Sequence, residues 1–506
     1  MANSEEDARA NIRSMLLEHA RRGTGLPKPY SKEPWPMIQQ HALHNIRSKS
    51  LPGRVDYAVI GSGMAGCSVA WNLYRKRPDH RITVFEARGL TSGATGRSDG
   101  QVAPMTYKEF ADMVYRYGFA AACEMNLFTL YNQIEMYPVA AHNIPLVHRP
   151  FMEVNLAFVD AVSNYADPTF SEAVDRQLTD YQISCEDYGD RGERISADQC
   201  KAKYHFRSSQ GGGRQLGFGL MPYRLVADTW QILYQDSNGR VTIETHTPVT
   251  KVSYDAGADS HPYTVWTNRG QVRANHVIYC TNAWTSYLLP ALKERIFPWR
   301  STMSCQEFYH KPGDWLRCSL HYQKTWQEVS QPQHNYLNRQ FVMGTQYFSR
   351  YVGTTSGQFK AVMVRADKMH YDTVINDDDT TDPTPINKEH VYGAVTRVFQ
   401  PPRVIEDARP TKAPVWTGVT GYTADGMPIV GKLSGKWTMR AGDGEWICAG
   451  CNGMGLGKYW AMGQTLAAYI TGEKPGSEVP HRYRSYDSRL DQMSIEAFLD
   501  RFLPPA

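Results

Sequence analysis

A chain of 506 residues is long enough for two sizeable cores, built as two interleaved domains or as one composite. Hydrophobic residues at 42% and charged residues at 21% are ordinary for a soluble globular protein, and no apolar run approaches the roughly 20 residues of a membrane-spanning helix. A net charge of +4 spread over this length makes no basic stripe, so neither a nucleic acid nor a membrane is an expected partner, and nine cysteines, an odd number, indicate neither a disulfide framework nor a zinc site.

The first segment, MANSEEDARANIRSMLLEHARR, opens acidic and then alternates charges with Ile12, Met15, Leu16 and Leu17, the pattern of a short amphipathic helix and not of a secretory signal. GLPKPYSKEPWP, punctuated by four prolines, is expected to run extended over the surface, which makes residues 1–50 an arm and not a domain. The last residues, LPPA, match no retention or lipidation signal, and the expected location is cytoplasmic.

VDYAVI at 55–60 is an expected strand, followed by GSGMAG, the helical stretch CSVAWNLYRKR and a second strand, RITVFEA, at 81–87. SGATGRSDGQV at 92–102 is rich in small residues, and EFADMVYRYGFAAACEMNLFTLYNQIEMY at 109–137, with no Pro and one Gly, is expected as a long helix or a helix pair. The alternating runs VHRPFMEVNLAFV, RVTIETHTPVTKVSY, YTVWTN and QVRANHVIYCTNA predict antiparallel sheet with a return to a parallel layer at HVIYCTNA. Strand-like runs (STMSCQEFY, QFVMGTQYFS, FKAVMVRA) share residues 300–410 with the acidic loop INDDDTTDPTP at 375–385, whose composition predicts exposure. The helix KYWAMGQTLAAYITG at 458–472 ends on a glycine, as helices commonly do.

These elements predict an α/β protein in which a Rossmann-like nucleotide-binding domain (51–108, 220–298 and 411–475) is interleaved with a mainly antiparallel β-sheet, α+β substrate or cap domain (109–219 and 299–410), followed by a tail at 476–506.

In VIGSGMAG, the glycines Gly61, Gly63 and Gly66 have the G-x-G-x-x-G spacing directly between a strand and a helix. Gly61 permits the tight turn, Gly63 lets a pyrophosphate approach the backbone, and Gly66 allows close strand–helix contact. Glu86 ends the second strand 25 residues after Gly61, where a carboxylate can bond ribose hydroxyls. An acid there disfavours a 2′-phosphate, hence NADP, and leaves FAD and NAD open.

From Asp56 to Gly100, and again from Trp416 to Gly472, the chain resembles the FAD-dependent amine and amino-acid oxidoreductases of the D-amino-acid-oxidase-like superfamily. The nearest pattern is the branch with glycine oxidase, sarcosine oxidase and gamma-glutamylputrescine oxidase, in its fungal form. The resemblance rests on VIGSGMAG with VFEA, SGATGRSDGQ, GLMPYRLV followed by VTIETHTPVTKV, HVIYCTNAWTSYLLP, WTGVTGYTADGMPIVG and CAGCNGMGLG, in that order.

The resemblance implies a role for each piece. Gly61, Ser62, Gly63, Ala65, Gly66, Glu86 and Ala87 would hold the ADP half of FAD, while Ala94, Thr95, Gly96, Arg97 and Ser98 would pass beside the pyrophosphate and the flavin ring. Val249 would meet the adenine, and Thr281 with Asn282 would end a strand over the nucleotide. Gly450, Asn452, Gly453, Met454 and Gly455 would line the pyrimidine side of the flavin, with a helix beginning near Leu456 aimed at its O2. Asp425 would meet the ribityl chain or shape a turn.

The chemistry implied is hydride transfer from the α-carbon of a neutral amine or amino acid to flavin N5, with O2 as acceptor; the cofactor carries the redox step. Lys360 is the candidate, by order along the chain, for a positive charge near N5; Arg300 and Arg365 are candidates for a substrate carboxylate, and Trp416 for an active-site wall. Where many relatives have Asn-Gly-Gly, this chain has Ser98, Asp99 and Gly100. Asp99 would then oppose an anionic reduced flavin, hold a cationic amine, or point to solvent. Relatives with covalent FAD carry a cysteine at the position corresponding to about Gly418, so dissociable FAD is expected. The alternatives are a flavin dehydrogenase or tailoring enzyme, and a catalytically quiet flavin-binding protein.

Overall fold

The computed structural model describes residues 2–30, 34, 37, 39–105, 107–142, 156–165, 181–182, 192–204, 206–258, 260–309, 318–324, 344–350, 359–366, 375–392 and 414–502. In chain order the strands are β1 (Arg54–Ile60), β2 (Ile82–Phe85), β3 (Gln101–Val102), β4 (Leu156–Tyr165), β5 (Glu193–Ile195), β6 (Gly212–Leu220), β7 (Val241–Glu244), β8 (Val249–Tyr254) and β9 (Tyr263–Thr267). They continue with β10 (Gly270–Tyr279), β11 (Ile296–Tyr309), β12 (Cys318–Lys324), β13 (Gly344–Arg350), β14 (Phe359–Ala366), β15 (Val415–Thr423), β16 (Ile429–Lys432) and β17 (Glu445–Ala449).

Apolar runs with no polar face, such as Ala58–Ile60 and Val277–Tyr279, are buried on both sides, as parallel strands require. They pair accordingly: β17, β10, β1, β2 and β7 lie side by side and parallel, with β16 antiparallel at one edge and the β8–β9 hairpin joined to β10. The second sheet runs β15-β11-β14-β13-β12-β4-β6-β3 with β5 on β6, and is antiparallel except between β12 and β4. The expected pairing of a Rossmann-like layer with a mainly antiparallel sheet is therefore observed.

The helices that matter for the site are α1 (Ala2–Arg22), α2 (Met64–Lys76), α3 (Ala94–Arg97), α4 (Tyr107–Tyr117), α5 (Phe119–His142), α6 (Pro222–Asp236), α7 (Tyr459–Thr471) and α8 (Ile495–Phe502). The helix expected at 109–137 is a pair, broken at Gly118, whose φ of +85° is a conformation glycine adopts without penalty. Helices α2 and α7 pack so closely that a side chain at Gly463 would collide with Ser68, whose hydroxyl donates to the Trp460 carbonyl at 2.6 Å. Among the described residues no helix is long and apolar enough to cross a membrane.

Two expectations are corrected here. The N-terminal segment is not a surface arm: Ile12, Leu16 and Ala20 of α1 are buried in the core that also holds Leu499 of α8, and Arg13 and Arg21 pair with Asp500 and Glu496. Further on, His41 and His44 are buried, with Tyr223 of α6 bridging them: its hydroxyl lies 2.8 Å from His44 Nδ1 and accepts from the His41 backbone N–H. The acidic loop is likewise not free in solvent, since Ile375 and Asp379 are 1% and 4% exposed. Hydrophobic burial on one helix face and a buried ion pair outweigh the composition of both segments.

Leu16→Ala removes a fully buried side chain and is expected to cost about 2–5 kcal/mol, read as a lower unfolding midpoint in denaturant. Burial holds the His44 imidazole down at about 4, with the nearby His246 and His41 adding to the effect, against 6.5 when unfolded. The unfolded chain therefore takes up this proton first, so the His44 contribution is intact at neutral pH and is lost as pH falls from 6.5 towards 4. The drop in Tm over that interval should be smaller in His44→Gln than in wild type.

Candidate active site

The parallel strands β1 and β2 end at one edge, and the turn after β1 determines what can lie there. Gly61 has φ +109°, and a side chain on it would strike the Cys280 carbonyl; a side chain at Gly66 would strike the Gly61 carbonyl. Both positions must be bare for α2 to begin against the strand end, which aims the helix N-terminus at the cleft. The Gly63 N–H donates to no acceptor among the described residues, whereas its neighbours are used: Ser62 N–H and hydroxyl donate to Glu86 Oε2 at 3.2 and 2.6 Å, and Met64 N–H donates to Thr95 Oγ1. Gly96 is bare for the same steric reason, because a side chain there would meet the Thr91 carbonyl.

One continuous cleft follows. It is lined by Gly61, Ser62, Gly63, Ala65, Glu86, Ala87 and Val249 around the dinucleotide turn and the end of β2, by Ala94, Thr95, Arg97, Ser98 and Asp99 in and after α3, and by Thr281, Asn282, Gly453, Met454, Gly455 and Leu456. Asn282, with φ +46°, joins the walls: its Oδ1 accepts from Gly450 N–H at 3.2 Å and Tyr459 hydroxyl at 3.1 Å, and its Nδ2 donates to Thr420 Oγ1. The N–H groups of Gly455, Leu456 and Gly457, all on the cleft wall, have no acceptor among the described residues. Helix α7 starts at Tyr459, three residues later than expected, with Lys458 as its N-cap.

Other expected site residues are placed elsewhere. Arg300 does not line the cleft: it projects from the face of β11 opposite Ser301 and Met303, and its guanidinium donates to the Thr381 carbonyl and hydroxyl at 2.7 and 2.9 Å. Trp416 is not a wall either; its indole N–H donates to the Arg97 carbonyl at 3.0 Å, which makes it a support for α3. Asp425 is not among the residues lining the cleft; its carboxylate is bound by Arg489 and accepts from the Met427 N–H within the turn. Gly450 and Asn452 stand behind the lining, with Asn452 Oδ1 accepting from Thr423 N–H at 2.8 Å. Lys360 and Arg365 lie in β14, paired with Phe308 and Met303, and their side chains fall outside the described residues. Asp99 is 7% exposed and faces the cleft, not bulk solvent.

The structure adds residues that motif reading missed. Arg88 lines the cleft two positions after Glu86 and is 4% exposed, and Leu26, Pro27, Trp284 and Tyr287 line it too. The buried Nε of Arg88 and Nε1 of Trp284 have no acceptor among the described residues. Cys280 and Cys451 face the cleft, and Cys448 with Cys451 has C-x-x-C spacing. All three are free thiols, and burial pushes Cys280 and Cys448 well above the ordinary thiol range. Among the described residues no cluster of His, Cys, Asp and Glu could hold a metal.

The model for FAD-dependent oxidoreductases matches residues 56–469, which contain both ends of this cleft. The chain belongs to that family. No curated protein matches it in sequence. Among solved structures it is similar to glycine oxidase from Geobacillus kaustophilus (14% identity, 84% of this chain and 97% of that one, TM-score 0.59). It is also similar to L-amino acid deaminase from Proteus vulgaris (13%, 87% and 99%, TM-score 0.61) and L-proline dehydrogenase from P. horikoshii (16%, 86% and 98%, TM-score 0.58). At these identities the likeness shows the fold. The residues present fit FAD: the Gly63 N–H at the dinucleotide turn and those of Gly455, Leu456 and Gly457 before α7, unused among the described residues, would supply donors to a phosphate and to the flavin ring.

In this oxidoreductase Gly66→Val places a branched side chain against the Gly61 carbonyl. FAD binding, followed by flavin fluorescence, should weaken at least about tenfold, or some 1.4 kcal/mol.

Proposed function

We propose that the protein oxidises the C–N bond of a small amine or amino acid, with dissociable FAD as hydride acceptor and O2 as the final electron acceptor. The observation that carries this reading is that one cleft is lined by Gly63, Asp99, Gly455, Leu456 and Gly457, with the N–H groups of the glycines and of Leu456 unused among the described residues. The similar structures named for glycine, L-amino acid and L-proline substrates support the substrate class.

FAD, when bound, supplies the hydride acceptor. The chain's own residues bind and orient. Glu86, fixed by Ser62 and by the Arg88 N–H at 3.0 Å, is held for ribose hydroxyls, and Gly63 N–H for a phosphate oxygen. The three N–H groups at 455–457 would meet the negative charge that a bound flavin accumulates on reduction, and would need no reorganisation to do so. Asp99 is an acidic group on the wall of the same cleft and holds the cationic amine of an arriving substrate. With Gly418 on the wall where some relatives carry a linking cysteine, the cofactor is held without a covalent bond.

A second reading, a dehydrogenase, is favoured by the likeness to L-proline dehydrogenase. Anaerobic mixing with a panel of amines and amino acids should bleach the flavin; reoxidation by air with peroxide release identifies an oxidase, and reoxidation only by an artificial acceptor identifies a dehydrogenase. Bleaching by no member of the panel would overturn C–N oxidation. Acid precipitation should leave the flavin in the supernatant. Asp99→Asn should raise KM at least about tenfold with a smaller change in kcat, as expected for a lost charge-assisted contact of roughly 1.5–3 kcal/mol.

A further inference from the structure

Leu26 and Pro27 line the cleft although they precede the family-matched region, which begins at residue 56. The segment that carries them is tied down along its length. Thr24 donates its N–H to Ser286 Oγ at 3.2 Å, Gly25 N–H donates to Asp377 Oδ2 at 2.8 Å, and Lys28 pairs with Asp378 at 2.8 Å. The Tyr30 ring lies 5.4 Å from both the Arg88 and the Arg97 guanidinium carbons, and the Trp284 ring lies 5.4 Å from that of Arg88.

Asp379 closes this arrangement. Its carboxylate takes both Arg88 Nη atoms, at 2.7 and 3.0 Å, and lies 3.3 Å from Arg97 Nε, while its carbonyl accepts from Arg97 Nη1 at 2.8 Å. Both arginines line the cleft, and Arg88 adjoins Glu86 and Ala87 at the end of β2, the ADP side of the site. The acidic loop thus binds the arginines from behind and the N-terminal segment from the side.

We infer that residues 23–30 form an additional wall of the cofactor site, covering the ADP half of the dinucleotide, and that Asp379 is the latch that keeps this wall closed. The inference rests on the FAD reading above. A dinucleotide enters or leaves its ADP end only when the segment lifts, so the latch governs how fast the cofactor exchanges. Asp379 touches neither substrate nor flavin and acts through Arg88 and Arg97, which makes it a positioning residue.

The test uses the full-length holoprotein and reads FAD release from the recovery of free-flavin fluorescence after dilution. Asp379→Asn should release FAD at least about tenfold faster, a change of roughly 1.4 kcal/mol in the barrier. Because that variant leaves buried guanidinium charge unpaired and can cost the fold itself, a locking variant is measured beside it. Gly25 and Asp377 meet through the Gly25 N–H, which donates to Asp377 Oδ2 at 2.8 Å, and the pair Gly25→Cys/Asp377→Cys is oxidised across that contact, with the disulfide scored by mass spectrometry. The oxidised pair should release FAD at least about tenfold more slowly than the same protein reduced, with the rate restored by dithiothreitol. Equal release from the oxidised and reduced forms or, where the pair does not cross-link, unchanged release from folded Asp379→Asn overturns the role of the segment while leaving the flavin reading intact. A wild-type protein that holds no flavin overturns both.

Discussion

The absence of a side chain at residue 66 is the constraint on which the site depends. Because the Gly61 carbonyl occupies the space where a Cβ would stand, α2 can start only if that position is glycine. Starting there, the helix presents its N-terminal turn to the cleft and leaves the Gly63 N–H unused. The parallel order of β17, β10, β1, β2 and β7 then brings the ends of these strands to one edge, the general place for a ligand in an open α/β sheet.

The far end of the cleft is assembled by a different device. Three backbone segments, the end of β10, strand β15 and the loop before α7, meet at the side chain of Asn282, whose amide accepts on one side and donates on the other. A partly buried amide satisfied by partners on separate elements acts as a geometric pin, since moving any one of them costs a hydrogen bond. The loop at 453–457 is thereby held on the wall, and the second sheet contributes Ser301, Met303, Gly418 and Thr420 to the same space.

Much of this was legible in the sequence, and the failures have identifiable causes. The turn at 61–66 and the contact side of 94–98 could be read because glycine spacing between an apolar strand and a helix leaves few conformational choices. Arg300 and Trp416 were misplaced because a strand residue's role depends on which face it takes and on what covers it; Arg300 shares β11 with Ser301 yet points away, and Trp416 is covered by the Arg97 carbonyl. The acidic loop was misread for a broader reason. Three consecutive aspartates predict solvent, and what buries Asp379 is Arg88, 291 residues earlier, a pairing that local composition does not register. The N-terminal segment failed likewise, since its prolines describe an extended chain without saying what that chain lies upon. The C-x-x-C spacing at 448–451 was present and unweighed.

The distances in sequence that complicate prediction also order events during synthesis. Residues 12–30 leave the ribosome long before Asp379 and the helix at 495–502 that they pack against, so the first-made part of the chain waits for the last-made part before it can settle. The β1–α2 unit and β10 are complete earlier, and a nascent chain therefore offers an open nucleotide crevice for the whole interval in which residues 280–379 are being added. Contacts of such separation are slow to form.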